Sequence, residues 1–146
     1  MKIKNFSTGV AANKSIAEIE KILTDFGAEA IMKSYTGDGK VKSLAFKYQN
    51  NAYMLPSNVD GVYQVMFANK KTYRKVNANK NREEQEYRIA WRLLKDWIHA
   101  QISIVYSGQA TPDQIMLPYM YNGQKTVYEM YKAGKLQLQE AKDGQI

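Results

Sequence analysis

The chain has no cysteine, a single histidine and three prolines in 146 residues. Without cysteine there is no disulfide framework, no zinc ribbon, no iron–sulfur cluster and no thiol nucleophile. One histidine, His99, cannot hold a metal unless carboxylates cluster with it, and no spacing in the sequence suggests such a cluster. Acidic side chains are also in deficit, at 14 against 21 lysines and arginines. No run of apolar residues reaches the 18 or so of a membrane span. The opening Met1-Lys2-Ile3-Lys4-Asn5-Phe6 lacks the apolar core of a secretory signal. The expectation is a cytosolic protein with no membrane partner. A phosphate-cradling, glycine-rich loop is missing too, and no cofactor is expected.

What is present fits one globular domain over residues 1–146. Hydrophobic residues make up 45% of the chain, enough for a core at this length. Residues 1–13 read as an extended arm. Ser15 is placed as a helix cap with Glu18 three residues on, and Ile16, Ile19, Ile22, Leu23 and Phe26 share one helical face up to Gly27. Residues 28–35, 41–49 and 52–55 read as strands, separated by Gly37-Asp38-Gly39 and by a reversal at Asn50-Asn51. Ser57 or Asn58 can cap a helix bearing Val59, Val62, Tyr63, Met66 and Phe67.

The clearest helical pattern runs from Arg82 to Tyr106. Tyr87, Ala90, Trp91, Leu94, Trp97, Ile98, Ile102 and Val105 recur there at three- and four-residue steps. At 1.5 Å per residue such a helix is about 37 Å long. Short pieces follow: a capped turn at Thr111-Pro112-Asp113-Gln114, an extended Leu117-Pro118-Tyr119, a turn at Asn122-Gly123 and a capping box at Thr126–Glu129. A polar tail over 135–146 is expected to fray. The predicted fold class is α+β: a three-stranded antiparallel sheet packed by one long amphipathic helix and several short helices.

The net charge of +7 raises the odds of a polyanionic partner. Its distribution is uneven. Lys70, Lys71, Arg74, Lys75, Lys80 and Arg82 fall within thirteen residues that contain no acid, and Tyr73 lies among them. Such cations neutralise phosphates, and a tyrosine among them can stack on an unpaired base. These seven residues are the candidate site for DNA or RNA. The plainer reading of the same segment is a solvated loop between two helices. Glu83, Glu84 and Glu86 follow at once, and as the first turn of a helix they suit its positive end.

Other constellations are weaker. Asp96, His99 and Ser103 share a helix face but give no fixed nucleophile–base geometry. No catalytic residue is assigned and no enzyme is expected. Asp38-Gly39-Lys40 echoes the acid-x-Lys pair of metal-dependent nucleases, although its glycines read as a turn. Tyr119, Tyr121, Tyr128 and Tyr131 gather with Met116, Met120 and Met130 near the C-terminus. Tyrosine and methionine favour binding surfaces, but the preferred reading is a seal between short helices and core.

Two resemblances bear on the chain. The order helix–strand–strand–strand–helix resembles a double-stranded-RNA-binding domain. That family places its lysines at the start of the final helix; here a further helix intervenes and the charges precede the long one. The string from Arg82-Glu83-Glu84-Gln85 through Ala90-Trp91-Arg92 and Lys95-Asp96-Trp97 to Ala100-Gln101 resembles a recurrent helix of small phage and prophage proteins. Lys14-Ser15-Ile16-Ala17-Glu18-Ile19-Glu20, Phe26-Gly27-Ala28, Met116-Leu117-Pro118-Tyr119 and Thr126-Val127-Tyr128-Glu129 are similar to the same group. The resemblance spans residues 14–131. It implies a phage or mobile-element origin, hence the host-cell cytoplasm, and brings no catalytic residue with it. The leading expectation is a non-catalytic accessory protein that binds nucleic acid through the basic segment. The alternative is an anti-CRISPR-like inhibitor that binds a host defence protein, and a structural or assembly role is a third.

Overall fold

The computed structural model describes residues 1–68 and 82–137. Its elements are α1 (Ala12–Phe26), β1 (Ala30–Tyr35), β2 (Val41–Tyr48), β3 (Asn51–Met54), α2 (Val59–Ala68), α3 (Arg82–Tyr106), α4 (Pro112–Met116), a 3-10 turn (Leu117–Tyr119), β4 (Met120–Tyr121) and α5 (Val127–Lys132). The strands form one antiparallel sheet in the order β1-β2-β3-β4. The fold is α+β, with α3 as its single long helix.

The inner sheet face follows from strand parity. Ile31, Phe46, Tyr53 and Met120 are cross-strand neighbours, and the rings of Phe46 and Tyr53 stack with centroids 5.3 Å apart. Leu44, Phe46 and Tyr53 meet Ile16, Ile19 and Leu23 of α1 and Tyr87, Trp91, Leu94 and Ile98 of α3 in the main core. Arg92 clamps the two helices by donating to Glu18 at 2.7 Å. A second cluster buries Val62 and Met66 of α2 against Ile89 of α3. The long helix is therefore buried on two sides, which a single stripe of apolar residues did not anticipate.

Several local expectations hold. Gly27 adopts φ 115° and its N–H closes the end of α1 on Leu23 and Thr24. Both C-terminal capping boxes form, Thr111 with Gln114 and Thr126 with Glu129. Asn58 Oδ1 accepts from Gly61 N–H at 3.1 Å and opens α2.

Others are corrected. Ser15 is not a cap: α1 begins three residues earlier, and Ser15 sits inside it with no exposure and no hydrogen-bond partner for its hydroxyl. A serine cap contributes about 1 kcal/mol, which the burial of Ala12 in a helix extended by three residues can outweigh. The reversal between β2 and β3 lies at Gln49-Asn50, both at positive φ, one residue earlier than expected. That two-residue loop is the one that sets Phe46 opposite Tyr53. The sheet has a fourth strand. Met120 and Tyr121 pair with Tyr53 and Ala52, and two residues are too few to show alternation in sequence. Leu117-Pro118-Tyr119 is a 3-10 turn rather than extended chain.

The N-terminal arm is docked. Ile3 and Phe6 pack against the second cluster, and Gln85 Nε2 donates to the carbonyls of Phe6 (3.2 Å) and Thr8 (3.0 Å). Lys4 and Asn5 both donate to Asp96 on α3. Partial burial works to raise the Asp96 pKa. The hydrogen bonds from Lys4 and Asn5 and the charges of Lys4 and Lys95 outweigh it and hold the carboxyl below its usual range. A carboxyl lowered on folding adds stability above its unfolded pKa of about 3.9, and that stability is lost as pH falls through the lower folded value. Asp96→Asn is thus expected to lose about 1 kcal/mol at neutral pH, the scale of a solvent-reached ion pair. In urea titrations the gap from wild type should close below about pH 4; a gap independent of pH would refute the assignment.

Candidate nucleic-acid interface

Lys70, Lys71, Tyr73, Arg74, Lys75 and Lys80 lie outside the described residues; Arg82 opens α3, and its side chain is likewise outside them. The structure describes the body on which the segment is mounted. Helix α2 ends at Ala68 and α3 begins at Arg82.

The acids that follow Arg82 have separate fates. Glu83 and Glu84 occupy the first turn of α3, as the helix dipole favours. Glu84 also pairs with Lys40 of the β1–β2 turn at 3.6 Å and with Arg88 at 3.8 Å. Glu86 is different: it is only 3% exposed, part of the interior rather than an open helix end. Charge patterning could not distinguish it from its neighbours.

Beside this end of α3 lies an open cleft of about 840 Å³, bounded by Tyr35, Asp38, Lys42, Asp60, Tyr63 and Glu83 among others. Its rim is tied down by Tyr87. The buried phenol accepts from Val41 N–H at 2.9 Å and donates to Val41 carbonyl at 3.2 Å. Burial raises the Tyr87 pKa, against the smaller opposing effect of the Val41 backbone contact. Lys40 sits over the same ring, 5.3 Å from its centroid.

Asp38-Gly39-Lys40 is a turn. Asp38 accepts from the Thr36 hydroxyl and Gly39 takes φ 83°, while Lys40 reaches away to Glu84. Among the described residues no group of three His, Asp or Glu side chains is placed to hold a metal. Asp96 faces the N-terminal arm, and Ser103 Oγ donates to the His99 carbonyl at 2.7 Å. The exposed imidazole of His99 is thus offered neither a nucleophile nor an orienting acid by these two residues. His99→Ala is expected to change stability by no more than about 0.5 kcal/mol and to keep whatever activity the wild-type protein has. A loss of activity with an unchanged melting curve would give His99 a role.

The C-terminal tyrosines divide into two groups. Tyr119 meets Trp97 edge-on with centroids 5.2 Å apart, and Met116 is buried; these form the expected seal. Tyr128 and Tyr131 do not take part. They remain 54% and 48% exposed on α5. Their i, i+3 spacing is visible in the sequence, but the methionines around them favour a single reading for all four tyrosines.

No helix among the described residues is long and apolar enough to cross a membrane. Comparison with protein-family models, curated proteins and solved structures found no match for the chain.

Proposed function

We propose that this is a non-catalytic accessory protein of phage or mobile-element type that binds DNA or RNA through the basic segment from Lys70 to Arg82, in the host-cell cytoplasm. The observation that carries the reading is the segregation of charge. Residues 1–68 and 82–137 hold fifteen basic and twelve acidic side chains, whereas residues 69–81 hold five basic and no acidic ones. Within the described body many charges are matched to one another. Glu18 pairs with Arg92 and Lys95, Glu20 with Lys33, Glu29 with Lys47 and Asp96 with Lys4. The excess of positive charge is thus concentrated in one short stretch of chain, the pattern of an electrostatic contact with a polyanion.

The test is binding of labelled DNA and RNA across a series of salt concentrations. Affinity that falls steeply with salt and weakens when Lys70, Lys71, Arg74 and Lys75 become Ala supports the reading. No binding to either nucleic acid even at low salt would overturn it. The anti-CRISPR-like inhibitor, bound to a host effector in a complex that survives high salt, would then take its place.

A further inference from the structure

Helix α5 is short but firmly held. Its capping box closes with Thr126 Oγ1 accepting from Glu129 N–H at 3.2 Å. Thr126 also bridges back to Tyr121, and α5 packs against the 3-10 turn, whose Tyr119 is braced by Trp97. Val127 and Met130 are half-buried on the inner side of α5, whereas Tyr128, Tyr131 and Lys132 are exposed on the outer side. These three stand at i, i+3 and i+4, so their side chains are neighbours on one helix face, with Cβ atoms about 5–6 Å apart.

Two features set this face apart. Neither tyrosine ring is packed on another ring among the described residues. Lys125 before the helix, Lys132 within it and Lys135 after it are exposed, and among the described residues none has an ion-pair partner. The only acid between residues 125 and 137 is Glu129. Its carboxylate is held at the cap, where Oε1 accepts from Thr126 N–H at 3.3 Å and from the Thr126 hydroxyl at 3.2 Å.

We infer that the outer face of α5 is a second nucleic-acid contact, on which Tyr128 and Tyr131 stack unpaired bases while Lys125, Lys132 and Lys135 meet the backbone, so that the protein prefers single strands to duplex. The ligand class rests on the nucleic-acid reading above; the site and the strand preference are additional to it. Three lysines with no ion-pair partner among the described residues fit a polyanion better than a protein surface, since lysine is depleted at protein–protein interfaces. Two open rings on a braced helix add what phosphate contacts alone lack. A stacked base needs a free face, which a duplex interior does not offer.

The experiment compares an oligothymidylate of about 20 nucleotides, longer than a typical single-strand site, with a duplex of equal length by fluorescence anisotropy. Tyr128→Ala/Tyr131→Ala should weaken binding to the single strand by at least about tenfold and leave duplex affinity within about twofold. Tyr128→Phe/Tyr131→Phe keeps the rings and should bind as wild type. Replacing Lys125, Lys132 and Lys135 with Ala should reduce the salt slope on the single strand, by up to about 0.7 for each phosphate no longer neutralised. Melting curves of the tyrosine variants should match wild type, because the rings are half exposed. If wild type binds and the double alanine variant binds the single strand equally well, this inference fails while the basic-segment reading stands. Equal losses on single strand and duplex also overturn it. If wild type binds neither, both readings fall.

Discussion

Trp91→Ala should lower the stability of this protein by about 3–5 kcal/mol, the range for removing a buried aromatic side chain. Trp91 is 1% exposed, near the middle of α3, in the cluster that joins α1, the inner sheet face and α3. Its ring meets Tyr87 edge-on at 6.4 Å between centroids, and Tyr87 in turn holds the backbone of Val41. Truncation leaves a cavity where three layers converge, and the close-packed surroundings can collapse into it only in part. Against a total stability of about 5–15 kcal/mol for a domain, such a loss is large. Urea titration should show a lower midpoint with the slope unchanged, the signature of altered stability rather than altered compactness. A variant that melts within a degree or two of wild type would refute the placement of Trp91 in the core.

The second large effect is on binding. Replacing Lys70, Lys71, Arg74 and Lys75 with Ala should weaken nucleic-acid affinity evenly across sequences, because phosphate contacts position a protein without reading bases. The log–log salt slope should shrink by up to about 0.9 on duplex DNA, and about 0.7 on single strands, for each phosphate that is no longer neutralised. Removing all four cations changes the slope by roughly 3–4, so the gap between variant and wild type depends strongly on the salt chosen. At low salt it should reach two orders of magnitude or more. Tyr73→Ala should cost more on single strands than on duplex, since stacking requires an unpaired base. Sequence-selective losses, or a slope unchanged by all four replacements, would show that these side chains do not meet phosphates. Tested together with the α5 variants, the two proposed surfaces can be separated: loss of the basic segment should weaken binding to both forms, and loss of the tyrosines should change only the preference between them.

Where the sequence spoke clearly, the cause is local. A helix stop at Gly27 needs only the left-handed backbone that glycine tolerates, and the two capping boxes need only residues three apart. The α+β class and the long helix α3 were legible for the same reason, since periodicity is carried by each segment alone. The basic segment is also a property of the primary structure, visible as charge with no acid beside it. Tertiary contacts decided the rest. Ser15 has the chemistry of a cap, yet the packing of α1 put it in the interior. Met120 and Tyr121 became a strand because β3 offered them an edge. Ile89 joined the interior because α3 is covered on more than one side, with α2 and the docked N-terminal arm beside it. Tyr119 and Tyr131 are the same residue type twelve positions apart, yet the ring of Tyr119 meets Trp97 while that of Tyr131 stays about half exposed. Such outcomes depend on which surfaces meet across long stretches of chain, and no residue's neighbours in sequence contain that information.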